Sequence, residues 1–310
     1  MSVHPQTPKF ASEQANKLLR RLAFQVSQTS RSTNPAAVHD LRVAIRRFTQ
    51  ILIVFKPYFH GKETRKIRQK LKRMMRQAGE VRNHDIALKV LARSTAAAVS
   101  GLRPKLQGRR KDAEHELNGM LKRWIDRKSS IKWRAALEAS LAKNRAEAIS
   151  IDRSAQQILP PMLKEFLKRG NRAANGIAGA EALHAFRIAT KKFRYSLEIF
   201  AALYGPPCQT ALGKLKHIQD LLGENNDWAT VERMLSRHPD GETLTAWLQI
   251  KQRKSTEEFC RYWREEFGGP EHSRIWTGVF RRSRPKAPIT KKPMGRQQAS
   301  PAPQSHAAMA

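Results

Sequence analysis

The sequence predicts an all-α chain made of two similar helical bundles around a pseudo-two-fold axis. Three observations carry this. Apolar residues recur at spacings of three and four almost everywhere, and alternating strand patterns are absent. A distinctive helical stretch, "VHDLRVAIRRF" at 38–48, returns as "LHAFRIATKKF" at 183–193.

The first half, about 9–148, follows 1–8, which lack helical periodicity and are expected to be flexible. Its first helix spans about 9–28. "STNPAAVHD" then supplies a cap and Pro35 a first-turn residue for a helix over 35–56. Pro57 and Gly61 punctuate the turn before a helix over 62–79. "GEVRNHD" reads as the end of that helix. Further helices are expected over 84–100, 102–127 and 131–148.

The second half, about 151–267, repeats the plan: helices over 152–174, 180–203 and 207–222, a break at "GENND", then 227–236 and 241–267. Residues 268–310 hold six prolines and eight Lys/Arg against one acid. They are expected to form a basic tail, disordered beyond Pro285.

The repeat is specific. At an offset of 145, Arg42 meets Arg187, Arg46 meets Lys191, Arg47 meets Lys192, Phe48 meets Phe193 and Phe55 meets Phe200. "GEVRN" at 79–83 corresponds to "GENND" at 223–227, so two markers recur in the same order.

Charge narrows the function. The chain has 310 residues, 59 Lys+Arg and 26 Asp+Glu, a formal +33. Such an excess favours polyanionic partners and opposes compaction by self-repulsion. At 40% hydrophobic, the chain has enough apolar residues for a core. Cys208 and Cys260 have no metal-ligand spacing and suit a reducing compartment. The longest apolar run, "ILIVF" at 51–55, is far too short to span a membrane, and "MSVHPQTPKF" lacks a signal-peptide core. These features read as a soluble, cytoplasmic protein.

On a helical wheel with His39 at zero, Arg42 and Arg46 fall within about 60°, with Arg47 on the shoulder. Leu41, Ala44, Ile45, Phe48, Ile51, Leu52 and Phe55 form the opposite, apolar stripe. The second copy places His184, Arg187, Lys191 and Lys192 together, with Arg194 at the edge. In the next helix Lys62, Arg65, Arg68, Lys72 and Arg76 line one side, whereas its copy offers only Lys214 and His217. No acid in 42–56 neutralises the first face, although a solvated helix face normally mixes signs. One-signed faces of this kind call for an anion. Arginine suits phosphate because its fork donates two parallel hydrogen bonds.

At these residues the chain resembles the CHAD family, the conserved histidine α-helical domain. The resemblance rests on "VHDLRVAIRRF", "LHAFRIATKKFRYSLEIFAALYG", "AGEVRNHD" and "LKHIQDLLGENND", and covers about 9–267. Where the family shows an Arg-Asp pair followed by another Asp, the first half reads Arg82-Asn83-His84-Asp85. The resemblance implies two four-helix bundles with internal two-fold symmetry and a basic central groove or pore. It implies binding of inorganic polyphosphate and association with polyphosphate granules. His39, Arg42, Arg46 and Arg47 match the first motif, and His184, Arg187, Lys191, Lys192 and Arg194 the second. No Glu-x-Glu-x-Lys motif of the triphosphatase domain that accompanies some members is present, so the chain reads as a stand-alone domain.

Polyphosphate-binding residues are therefore expected to be these nine together with Arg65, Arg68, Lys72 and Arg76. Nucleic-acid binding shares the electrostatics, but the motif helices lack exposed aromatics for stacking, Tyr195 excepted. Trp124, Trp133, Trp247, Trp263 and Trp276 read as packing residues. A phosphohydrolase or phosphotransferase using His39 and His184 would need acids nearby. Asp40 lies beyond the basic face, and Glu80, Asn83, Glu224 and Asp227 read as cap or turn residues. Neither motif supplies an acid at i+3 or i+4 to its histidine, so no catalytic residue, metal ligand or cofactor is assigned.

Overall fold

The computed structural model describes residues 6–93, 101–143, 149–175, 179–235 and 242–281. Among these there is no named strand. The helices are α1 (Thr7–Thr29), α2 (Pro35–Val54), α3 (Gly61–Leu91), α4 (Leu102–Asp126), α5 (Ser129–Ala142), α6 (Ile151–Ala174), α7 (Gly179–Tyr204), α8 (Pro206–Leu235), α9 (Glu242–Glu266) and α10 (Pro270–Arg281).

The duplication is visible in the helix positions. Shifted by 145 residues, α1, α2 and α3 would begin at 152, 180 and 206; α6, α7 and α8 begin at Ile151, Gly179 and Pro206. The ten described helices thus read as five followed by five. This extends the second half beyond the expected boundary at 267. α10 is the counterpart of α5, and each delivers a tryptophan to the same motif-helix phenylalanine. Trp133 stacks on Phe48 with centroids 6.2 Å apart. Trp276 tilts against Phe193 at 6.4 Å.

Local starts follow the sequence signals. Asn34 caps α2, its Oδ1 accepting from the Ala36 N–H at 2.9 Å, with Pro35 at the first helical position. The two halves are joined at their N-terminal helices, where the Thr7 hydroxyl donates to the Ile149 carbonyl at 2.7 Å.

The main core runs through both halves and is rich in aromatics. Phe48, Phe55, Phe166, Phe186, Phe193, Phe200 and Phe259 are fully buried within it. Gly170 exists where it does because of this core. A Cβ there would lie 2.0 Å from the Trp263 ring, whose Nε1 donates to Asn171 Oδ1 at 2.9 Å.

The expected breaks at "GEVRNHD" and "GENND" do not occur. α3 and α8 run straight through them, so Glu80, Asn83, Glu224 and Asp227 are mid-helix residues rather than caps. Beyond each stretch lie Ile86, Ala87, Val90 and Leu91, and Val231 and Leu235. With Leu102, Leu106, Leu244 and Leu248 they build a second core where α3 and α8 meet α4 and α9. Burial of these apolar chains outweighs the weak helix propensity of Gly, Asn and Asp. The remainder of the helix expected over 84–100, residues 94–100, lies outside the described residues, as do 144–148, 1–5 and everything past 281.

Candidate anion-binding cavity

α2 buries Leu41, Ala44, Ile45, Phe48, Ile51 and Leu52, which leaves its basic face turned toward α3 and α7. α3 buries Ile67, Leu71, Met74 and Ala78 and presents its basic row on another face. α7 packs against α2 through a buried hydrogen bond from Gln50 Nε2 to Ser196 Oγ, 2.8 Å. The three helices enclose one cavity of about 910 Å³.

Nine of the thirteen expected binding residues line it: Arg42 and Arg46 from α2, Arg65, Arg68, Lys72 and Arg76 from α3, and Arg187, Lys191 and Lys192 from α7. Among the described residues, Glu80 is its single lining carboxylate. Tyr195 and Gln50 also line it, and both are buried. α8 contributes nothing to the lining. Its Lys214 is paired with Glu266, and His217 packs edge-on to Tyr262. The cavity is therefore asymmetric, with a long basic row on the first half's side alone.

The cations are held against their own repulsion. Arg42 Nη1 donates to the Met75 carbonyl at 3.3 Å. Its guanidinium lies over Gly79, where a Cβ would sit 2.8 Å from Nη1. Burial and the neighbouring Arg46, Arg187 and Arg82 lower the Arg42 pKa to about 10. Burial likewise lowers Arg187, whose Nε is buried with no hydrogen-bond partner among the described residues. Lys191 is lowered furthest, to about 6, by burial and then by Arg187, Arg46 and Arg42. Asp227, on α8, is the compensating acid. Burial raises its pKa, while Arg187, Arg82 and Lys191 pull it back. Asp227 and Arg82 were not expected here, because their stretches were read as turns.

Four expected residues are elsewhere. Arg47 donates from Nε to Glu198 at 3.0 Å, and Arg194 pairs with the same carboxylate at 3.4 Å. Both arginines also lie over the Tyr195 ring, at 6.0 and 5.1 Å. They serve the α2–α7 junction, and the signal was Glu198 at i+4 from Arg194. His39 stands exposed on the second turn of α2; partial burial, then Arg82, lowers its pKa. His184 lines a separate recess of about 270 Å³ with Asn225 and Asn226, reached past Arg187, which borders both.

Asp85, in the altered Arg-Asn-His-Asp stretch, is buried and accepts from Arg110 Nε at 2.7 Å. Arg110 also donates to Glu114 and to the Thr33 carbonyl, tying α3 and α4 to the loop before α2. Of the tryptophans expected to pack, Trp124, Trp133, Trp263 and Trp276 are buried, whereas Trp247 is only partly covered, edge-on to Trp228. No group of three His, Cys, Asp or Glu among the described residues could hold a metal ion. No described helix is long and apolar enough to cross a membrane.

The CHAD domain family model matches residues 13–236. Among solved structures, the CHAD domain from the plant Ricinus communis is similar, with a TM-score of 0.68 and 20% identity over 90% of this chain and 93% of that one. PptA from Streptomyces chartreusis is similar at a TM-score of 0.55 and 12% identity, over 88% of this chain and 100% of that one. At these identities the likeness is one of fold. No curated protein sequence matches.

Proposed function

The chain belongs to the CHAD domain family, and from that premise we propose that its cavity binds inorganic polyphosphate without catalysing a reaction on it. The observation that carries this is the convergence of nine basic side chains on one cavity that, among the described residues, Glu80 alone lines as a carboxylate. Arg42, Arg46 and Arg187 among them are half-buried. Holding like charges together out of water costs free energy that a polyanion can return. A linear phosphate chain supplies a negative charge at each unit and offers no base to read. The lining matches that chemistry, with arginine forks around the cavity and its tyrosine buried rather than presented for stacking. The lining cations then act as a clamp on the phosphate chain. Retention of the protein on polyphosphate granules in the cytoplasm follows from the same binding.

The test is a competition titration near physiological salt, where exposed charges are screened beyond ~8 Å. Long-chain labelled polyphosphate is displaced by unlabelled polyphosphate, single-stranded RNA or duplex DNA while phosphate release is followed. Polyphosphate is expected to compete best, with no release. Reversal of Arg42, Arg46, Arg187 and Lys191 to Glu should abolish both binding and the thermal stabilisation that ligand confers by mass action. Equal displacement by RNA would replace this reading with general nucleic-acid binding. Phosphate release that tracks the pure protein would make it an enzyme.

A further inference from the structure

We infer that a second anion site lies on the other flank of α3, and that it takes the phosphate groups of a short oligophosphate. On the α3 wheel, Arg73 and Lys70 sit roughly 80° and 140° round from Arg65, away from the row that lines the main cavity. They meet Arg123 of α4 and Arg127 of the α4–α5 turn around a recess of about 230 Å³. No acid lines it. None of the four cations forms an ion pair among the described residues, and all four are exposed.

Two further features point to an oxyanion. Trp124 lines the recess and is 7% exposed, yet its indole Nε1 is buried with no hydrogen-bond partner among the described residues. A buried N–H left unpaired costs free energy that an oxygen acceptor would remove. Ser129, also in the lining, is the first residue of α5, a 14-residue helix whose N-terminus no side chain caps. Its first amides and the positive end of the helix dipole favour negative charge there. The left-handed Lys128 (φ 48°) turns the chain sharply enough to bring that end against Arg127. The recess shares no lining residue with the main cavity.

The chain's six tryptophans make the site directly observable. In 15N-tryptophan-labelled full-length protein, Trp124→Phe assigns its indole signal, and tripolyphosphate is titrated in. The Trp124 signal is expected to move and saturate. The combined Arg73→Glu, Arg123→Glu and Arg127→Glu variant should weaken that response about tenfold or more, since it removes three charge-assisted donors and adds three negative charges. The other five indole signals report that this variant is folded. Arg42→Glu with Arg187→Glu should leave the Trp124 response intact, which separates this site from the polyphosphate cavity. An unmoved Trp124 signal, an equal response to sodium chloride at matched ionic strength, or loss of the response in the cavity variant would each overturn the inference.

Discussion

Lys191 carries the pH dependence of the main cavity. With a pKa lowered to about 6, its amine is roughly nine-tenths neutral at pH 7 in the free protein. A bound polyanion raises that pKa, so binding takes up a proton. The affinity from this group is complete below pH 6 and lost as pH rises through the pKa of the bound state. At pH 7.5 the calorimetric binding enthalpy should therefore scale with the buffer's ionisation heat, and Lys191→Met should remove that dependence. Enthalpies equal across buffers for the wild type would refute a neutral Lys191. The same residue weakens the free protein. Its folded pKa lies below the ordinary 10.5, so the unfolded chain binds more protons between those values, and stability rises with pH across that window. Lys191→Met should flatten this rise, so that its gain in melting temperature over the wild type is largest near pH 6 and vanishes as pH approaches 10.5. The place of Lys191 on the basic face of α7 was legible from the repeat. Its shifted pKa was not, because Arg42 and Arg46 reach it across nearly 150 residues of chain. Arg47 and Arg194 sit outside the cavity lining, at the α2–α7 junction. Both carry the motif, but Glu198 holds them.

Elements show why glycine and asparagine misled the sequence reading of α3 and α8. "GEVRNHD" and "GENND" have turn composition, yet each is continued by apolar residues that only the meeting of α3, α4, α8 and α9 can bury. That tertiary core is invisible to local pattern. Gly79 and Gly223, one from each copy, separate the two uses of glycine. Nothing lies within 4 Å of a Cβ at Gly223, whereas at Gly79 it would meet Arg42 Nη1 at 2.8 Å. Both are mid-helix, where alanine gains up to about 1 kcal/mol over glycine. Gly223→Ala is expected to raise the melting temperature and leave polyphosphate affinity unchanged. Gly79→Ala should keep the fold, since the atom it displaces ends a flexible side chain. By moving the guanidinium out of the cavity, it should weaken binding several-fold. Equal affinities for the two variants would mean that Arg42 does not depend on the space above Gly79.

At the scale of the molecule, the all-α class and the duplication were readable because periodicity and the 145-residue offset are properties of sequence alone. The number of helices per half was not. The composition of 268–310 averages a helix together with a proline-rich segment, and the average reads as a tail. Yet α10 seats Trp276, 3% exposed, against Phe166, Phe193 and Phe267, with the Phe267 ring stacked at 5.1 Å. α5 does the same for the first half through Trp133. A protein of this net charge must offset self-repulsion with burial, so losing one of the paired end helices should be costly. Trp276→Ala removes a large buried aromatic and is expected to cost about 3–5 kcal/mol. A chain ending at Phe267 should lose at least as much relative to one ending at Arg281, because it uncovers the three phenylalanines as well as deleting the tryptophan. Chemical denaturation of the three proteins at fixed salt makes the comparison. If the shorter chain unfolded at the same denaturant concentration as the longer one, α10 would be an appendage and the second half would close at α9. A drop matching or exceeding that of Trp276→Ala identifies α10 as the helix that closes the second half over Phe166, Phe193 and Phe267.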